Sequence, residues 1–76
     1  MAYHYTIFLY DKDNDEYSHD YVCKTLEEAE TIAEALHTFV SKDLIVNRDN
    51  NNEPYDWIEI WECNENTLDN RRVKVY

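Results

Sequence analysis

Residues 25–43 read TLEEAETIAEALHTFVSKD, and the periodicity of this stretch decides what the rest of the chain can be. Thr25 followed by Glu28 is a capping-box signature, a hydroxyl placed to accept an otherwise orphan amide of a first helical turn. Leu26, Ala29, Ile32, Ala33, Leu36 and Val40 then recur at helical spacing. Glu27, Glu28 and Glu30 fall in the first turns, where the helix dipole favours negative charge. The spacing predicts one amphipathic helix whose Leu26–Val40 stripe needs a sheet to rest on.

Working outward, the flanks read as strands. AYHYTIFLY (2–10) is dense in aromatic and β-branched residues, and EYSHDYVCK (16–24) alternates. The alternation sets Tyr17, His19, Tyr21 and Cys23 against Ser18, Asp20, Val22 and Lys24, with the acidic segment before them as a hairpin connection. After the helix, LIV (44–46) fits either a short strand or the packed helix end, and NRDNNNEP (47–54) reads as a loop. YDWIEIWEC (55–63) is a strand, Asn64 to Asn70 a connection and RRVKVY (71–76) a last strand. The order is ββαββ in a single domain, 1–76: an α+β fold with an antiparallel four-stranded sheet and one helix across a face. Ile58, Ile60, Val73 and Val75 are expected under the helix. Trp57, Glu59, Trp61, Arg72, Lys74 and Tyr76 are expected on the other face, as amphipathic cover or as a contact surface.

Composition narrows the function. The 76 residues carry a formal charge of −10, seven tyrosines, two tryptophans and no glycine. All 17 acids lie in residues 1–69 against four Lys/Arg, a net of −13; residues 70–76 hold Arg71, Arg72 and Lys74, a net of +3. Positive-φ turns must therefore fall to Asn or Asp, with Asn14, Asn47, Asn50, Asn51, Asn52, Asn64, Asn66 and Asn70 placed for them. Lack of glycine also argues against phosphate-cradling loops and the nucleophile elbow. No apolar run is long enough for a membrane span and no secretory pattern opens the chain. The expectation is a soluble cytoplasmic protein with Cys23 and Cys63 as reduced thiols.

Site chemistry is tested motif by motif. In DKDNDEYSHD, Asp11, Asp13 and Asp15 occupy positions 1, 3 and 5 of a calcium loop. Position 6 is Glu16 where the turn wants glycine, and position 12 is Val22 where the ion wants a bidentate Glu. His4, His19, His37, Cys23 and Cys63 show no metal-ligand spacing. Cys23 or Cys63 with His19 is the only conceivable nucleophile pair, and no signature supports it. No enzyme activity, cofactor or metal site is expected.

The acids carry more information as a set. Glu30 and Glu34 stand four apart, Glu27 stands three from Glu30, and no Lys or Arg lies between Thr25 and Ser41. Like charges at that spacing cost a few tenths of a kcal/mol each, where Glu–Lys pairs would gain about as much. If extended, Asp11, Asp13 and Asp15 would recur every ~6.8 Å, and helical acids lie ~5–6 Å apart, intervals akin to a string of phosphates. Charge of this sign excludes nucleic acid as a direct ligand and suits a basic protein groove. Solubility alone is the competing explanation.

The profile of a tiny domain with acids in DKDNDE, LEEAE and NRDNNNE and many tyrosines resembles small phage-encoded anti-defence proteins, anti-CRISPR proteins and other DNA mimics among them. That resemblance implies a non-enzymatic inhibitor in an infected bacterial cell, occupying the basic nucleic-acid-binding groove of a partner such as a CRISPR effector. The basic tail RRVKVY departs from a uniformly acidic mimic. Asp11, Asp13, Asp15, Glu16, Glu27, Glu30 and Glu34 are the expected charge contacts, with Trp57 and Trp61 as the aromatic surface. The alternatives are a structural or regulatory protein that forms a homodimer through the Trp57/Trp61 face, and an acidic cation-binding protein.

Overall fold

A computed structural model describes residues 2–76 and, within them, every side chain except those of His19 and Asp20. The fold is α+β. Strands β1 (Tyr3–Asp11) and β2 (Glu16–Cys23) form a hairpin, followed by helix α1 (Leu26–Val40). A short ribbon of β3 (Val46–Asn47) and β4 (Glu53–Pro54) flanks a 3-10 turn, Arg48–Asn50. Strands β5 (Trp57–Asn64) and β6 (Asn70–Val75) close the chain. The ribbon is a correction to the ββαββ order: part of NRDNNNEP pairs with the end of LIV instead of remaining a loop. The main sheet runs β2-β1-β5-β6, each neighbour antiparallel.

Thr25 is the helix cap, extended at φ −129° and ψ 153°, and its hydroxyl accepts from the Glu28 amide at 3.1 Å. At the other end Asp43 turns left-handed at φ 58°, taking the role glycine usually has. Asp15, Asn51 and Asn52 also have positive φ, as a glycine-free chain requires. Leu68, at φ 63°, does so without a polar side chain to help.

The helix packs over β5, β1 and β2. Ala29, Ala33 and Val40 meet Ile7, Leu9, Cys23, Tyr55, Ile58 and Ile60 in the core, with Ile32 and Leu36 half-buried around it. Small side chains at the centre of the helix let it approach the sheet closely.

Both outer strands of this sheet carry a bulge. Opposite β1, Ile7 pairs with Tyr21 but Phe8 pairs with His19, so Asp20 is an extra residue. Opposite β5, Ile60 pairs with Lys74 but Trp61 pairs with Arg72, so Val73 is extra. One inserted residue exchanges the two faces of everything beyond it. Strict alternation along β2 and β6 is therefore corrected. Tyr17 lies on the open side and Cys23 under the helix, not together. Lys74 and Tyr76 are turned to the helix side, and Val75, expected in the core, is 49% exposed. Val73 is half-buried against the core.

Candidate interaction surfaces

The open side of the sheet is built from alternate positions of the central strands. Phe8 and Tyr10 of β1 stand beside Trp61 and Trp57 of β5, and Tyr17 of β2 joins them past its bulge. In their midst Glu59 is fully buried, 0% exposed, without the helix to cover it. A buried carboxylate is costly unless its charge is met by donors. Here the Trp57 indole N–H donates to Oε2 at 2.8 Å and the Trp61 indole N–H to Oε1 at 2.9 Å. Arg72 adds a guanidinium contact at 3.4 Å.

The rings form an arc around this carboxylate. Trp57 packs on Tyr10 at 4.5 Å between centroids, and Tyr10 on Tyr17 at 4.6 Å. Tyr17 and Trp61 each meet Phe8 edge-on, at 5.7 and 6.4 Å. Burial, then the Glu59 charge, pushes the Tyr17 phenol above its ordinary value. The hydroxyl of Tyr10 donates to Asp15, and that bond first, burial second, pushes Tyr10 up to about 12. Between these rings and the far end of the sheet lies a groove of about 560 Å³, lined by His4, Thr6, Phe8, Tyr17, Trp61, Cys63 and Asn70.

The expected acidic contacts do not form one comb. Asp11 is buried, 0% exposed. Its carboxylate accepts from Asn50 Nδ2 at 2.6 Å, Asn47 Nδ2 at 3.1 Å and the Asp13 amide at 3.2 Å. The Asn50 bond foremost holds its pKa below the usual carboxylate range, against the opposing effect of burial. Asp11 therefore ties the ribbon to the hairpin and is corrected from surface contact to structural anchor. The extended spacing of Asp11, Asp13 and Asp15 is corrected too, because residues 12–15 form a tight turn closed by Asp15 N–H to Lys12 O. Asp13, Asp15 and Glu16 are exposed at that turn, with Glu16 reached by Asn47 Nδ2 at 3.4 Å.

On the helix, Glu27 and Glu34 are exposed, but Glu30 is engaged by Lys74 at 3.0 Å. The helix starts at the end of the sheet where β2 finishes, so the acids of its first turns lie at the opposite end from the hairpin acids. Trp57 and Trp61 do share the open face, half-buried. Phe8, Tyr10 and Tyr17 were not expected as partners of these tryptophans, and Glu59, expected beside them on the face, is instead buried as their acceptor. The signal was the run Trp57-x-Glu59-x-Trp61, which sets a carboxylate between two indoles on one strand face.

Among the described residues no group of three or more His, Cys, Asp or Glu side chains could hold a metal ion. Burial, and secondarily Glu28, pushes the Cys23 thiol up, opposite to what a nucleophile needs. Cys63 pairs across the strands with His4, whose Nδ1 is 3.3 Å from Glu65 Oε2. The His19 side chain, the other half of the nucleophile pair that no sequence signature supports, lies outside the described residues. No described helix is long and apolar enough to cross a membrane. No protein-family model, curated protein or solved structure matches the chain.

Proposed function

We propose that this protein is a non-enzymatic binding module that docks its acidic exterior on a basic, nucleic-acid-binding groove of a partner protein and blocks it. One observation supports the reading above the others. The cations of β6, which made the sequence look mixed in charge, are each paired with an acid of the chain, Arg71 with Glu62, Arg72 with Glu59 and Lys74 with Glu30. Taking these three pairs from the 17 acids and seven Lys/Arg leaves 14 acids against four cations. Such an excess steers association with a basic surface and repels nucleic acid itself.

An RNA-guided nuclease is the first effector to test, through displacement of a labelled DNA duplex at increasing salt. Asp13→Lys with Asp15→Lys, and separately Glu27→Lys with Glu34→Lys, should weaken displacement mainly by slowing association. The difference from the unmodified protein should narrow as salt rises. Glu30 is left out because its reversal also frees Lys74, and because Asp15 holds the Tyr10 hydroxyl the hairpin pair is read beside its own urea midpoint. If neither the nuclease nor a panel of basic DNA-binding proteins is displaced, or both double reversals act like the unmodified chain, the acidity serves solubility.

A further inference from the structure

Where α1 ends, the chain turns back and brings apolar side chains to the surface. The Asp43 N–H donates to Val40 O at 3.0 Å and the Leu44 N–H to Phe39 O at 3.0 Å. These are the paired bonds of a Schellman turn, with Asp43 as its left-handed residue, and that motif sets Leu44 beside Phe39. The two are left open, Phe39 50% and Leu44 63% exposed. Ile45 packs on the core, so Val46 turns outward again and is exposed. Val46 pairs with Pro54 across the β3–β4 ribbon, and paired residues share a face, so Pro54 extends the surface. Phe39, Leu44, Val46 and Pro54 thus form an apolar patch that the fold leaves largely uncovered.

The charges beside this patch decide what can cover it. Lys42 and Asp43 precede Leu44, Arg48 and Asp49 follow β3, and all four are exposed. Glu53 pairs with buried Asn47 and so belongs to the other face of the ribbon. Neither Lys42 nor Arg48 forms an ion pair among the described residues. Two cations against two acids leave the rim neutral, in a chain of net charge −10. A basic partner gains nothing from a neutral rim that the acidic turns do not offer better. A second copy of the chain is repelled by like charge over most of the surface, but not here. Under a two-fold axis through the patch, the rim of each copy offers cations and acids to the acids and cations of the other. The patch is small beside the ~800 Å² per partner of a standard stable interface, so the association is weak.

We propose that this protein forms a weak two-fold dimer with a second copy of itself through the Phe39, Leu44, Val46 and Pro54 patch, leaving the open aromatic face of the sheet uncovered. Such a dimer is independent of the acidic-module reading, and salt separates the two. Docking on a basic groove is drawn by charge and weakens as salt rises. The dimer is held by apolar contact and opposed by the repulsion between two chains of −10, so salt strengthens it.

The test is sedimentation equilibrium from about 10 μM to about 1 mM protein, at about 20 mM and about 500 mM sodium chloride. The expected result is a monomer–dimer equilibrium that tightens severalfold with salt. The NMR methyl signals of Leu44 and Val46 and the ring signals of Phe39 should move with protein concentration, which reads the interface in the unmodified chain. Leu44→Ser changes no charge and should weaken the dimer about tenfold, since each dimer loses two apolar contacts. Leu68→Ser, at an exposed leucine set among Asn66, Thr67 and Asp69, should leave it unchanged. A monomer at every concentration and salt would overturn the inference. So would a dimer that loosens as salt rises, or one indifferent to Leu44→Ser that moves Trp57 and Trp61 instead, which would place the second copy on the open sheet face. If the chain stays monomeric and Leu44→Ser weakens displacement of DNA from a basic target, the partner covers the patch; the dimer then fails while the acidic-module reading stands.

Discussion

Two buried carboxylates do opposite jobs at the scale of single residues. Glu59 sits between two indoles and a guanidinium, and its removal leaves donors without a partner as well as a void. Breaking a buried charged network of this kind costs about 3 kcal/mol, more than the truncation of an exposed acid. Glu59→Ala should therefore lower the urea midpoint markedly and loosen both tryptophans, visible as a shift in their fluorescence; an unchanged midpoint and spectrum would contradict the network. Asp11 instead accepts from amides, and its pKa is lowered from 3.8. A carboxylate depressed in the folded state contributes stability that is complete above its unfolded value and disappears as pH falls through the folded one. The unmodified protein should thus lose stability more steeply than Asp11→Asn below pH 3.8. Chemical unfolding at a series of acidic pH values measures this, and parallel curves would remove Asp11 from the acid response.

At the scale of elements, the outer strands are where alternation misleads. A bulge in β2 and another in β6 cost a single unpaired residue each, Asp20 and Val73, and each re-aims the strand beyond it. Bulges in edge strands also discourage pairing with further chains. The β5–β6 connection shows a second departure from the expected pattern. Leu68 holds φ 63° and is 73% exposed, so it bears the steric cost of a left-handed residue without any compensating burial. Leu68→Gly should stabilise the protein by about 1 kcal/mol, the penalty of a side chain in that region less the added freedom of the unfolded glycine. A thermal midpoint raised by several degrees would agree with this; a lower midpoint would mean that Leu68 makes a contact its exposure hides.

For the whole molecule, charge outweighs any single contact in setting how it responds to its surroundings. With 14 acids left over against four cations once the β6 pairs are made, self-repulsion opposes the compact state. Sodium chloride should accordingly raise the thermal midpoint at neutral pH, and Glu27→Lys with Glu34→Lys should reduce that rise. A midpoint that falls with salt would show that the ion pairs contribute more than the repulsion costs. Much of this was present in the primary structure. Local periodicity and a capping hydroxyl determined the helix, its stripe and its Thr25 cap, because those depend on residues three or four positions apart. Alternation determined where the long strands lie, and composition determined the acidic excess; of the asparagines expected at positive φ only Asn51 and Asn52 adopt it, with Asp15, Asp43 and Leu68 taking the other such positions among the described residues. Only the tertiary structure decided which acids reach solvent. Asp11 is buried by asparagines 36 and 39 residues away, and Lys74 reaches Glu30 across 44. Only the tertiary structure, again, gathered Phe8, Tyr10, Tyr17, Trp57 and Trp61 around Glu59. The face a side chain occupies on β2 and β6 depends on where the pairing skips a residue, and that is settled by packing between strands, not by the sequence of either strand alone.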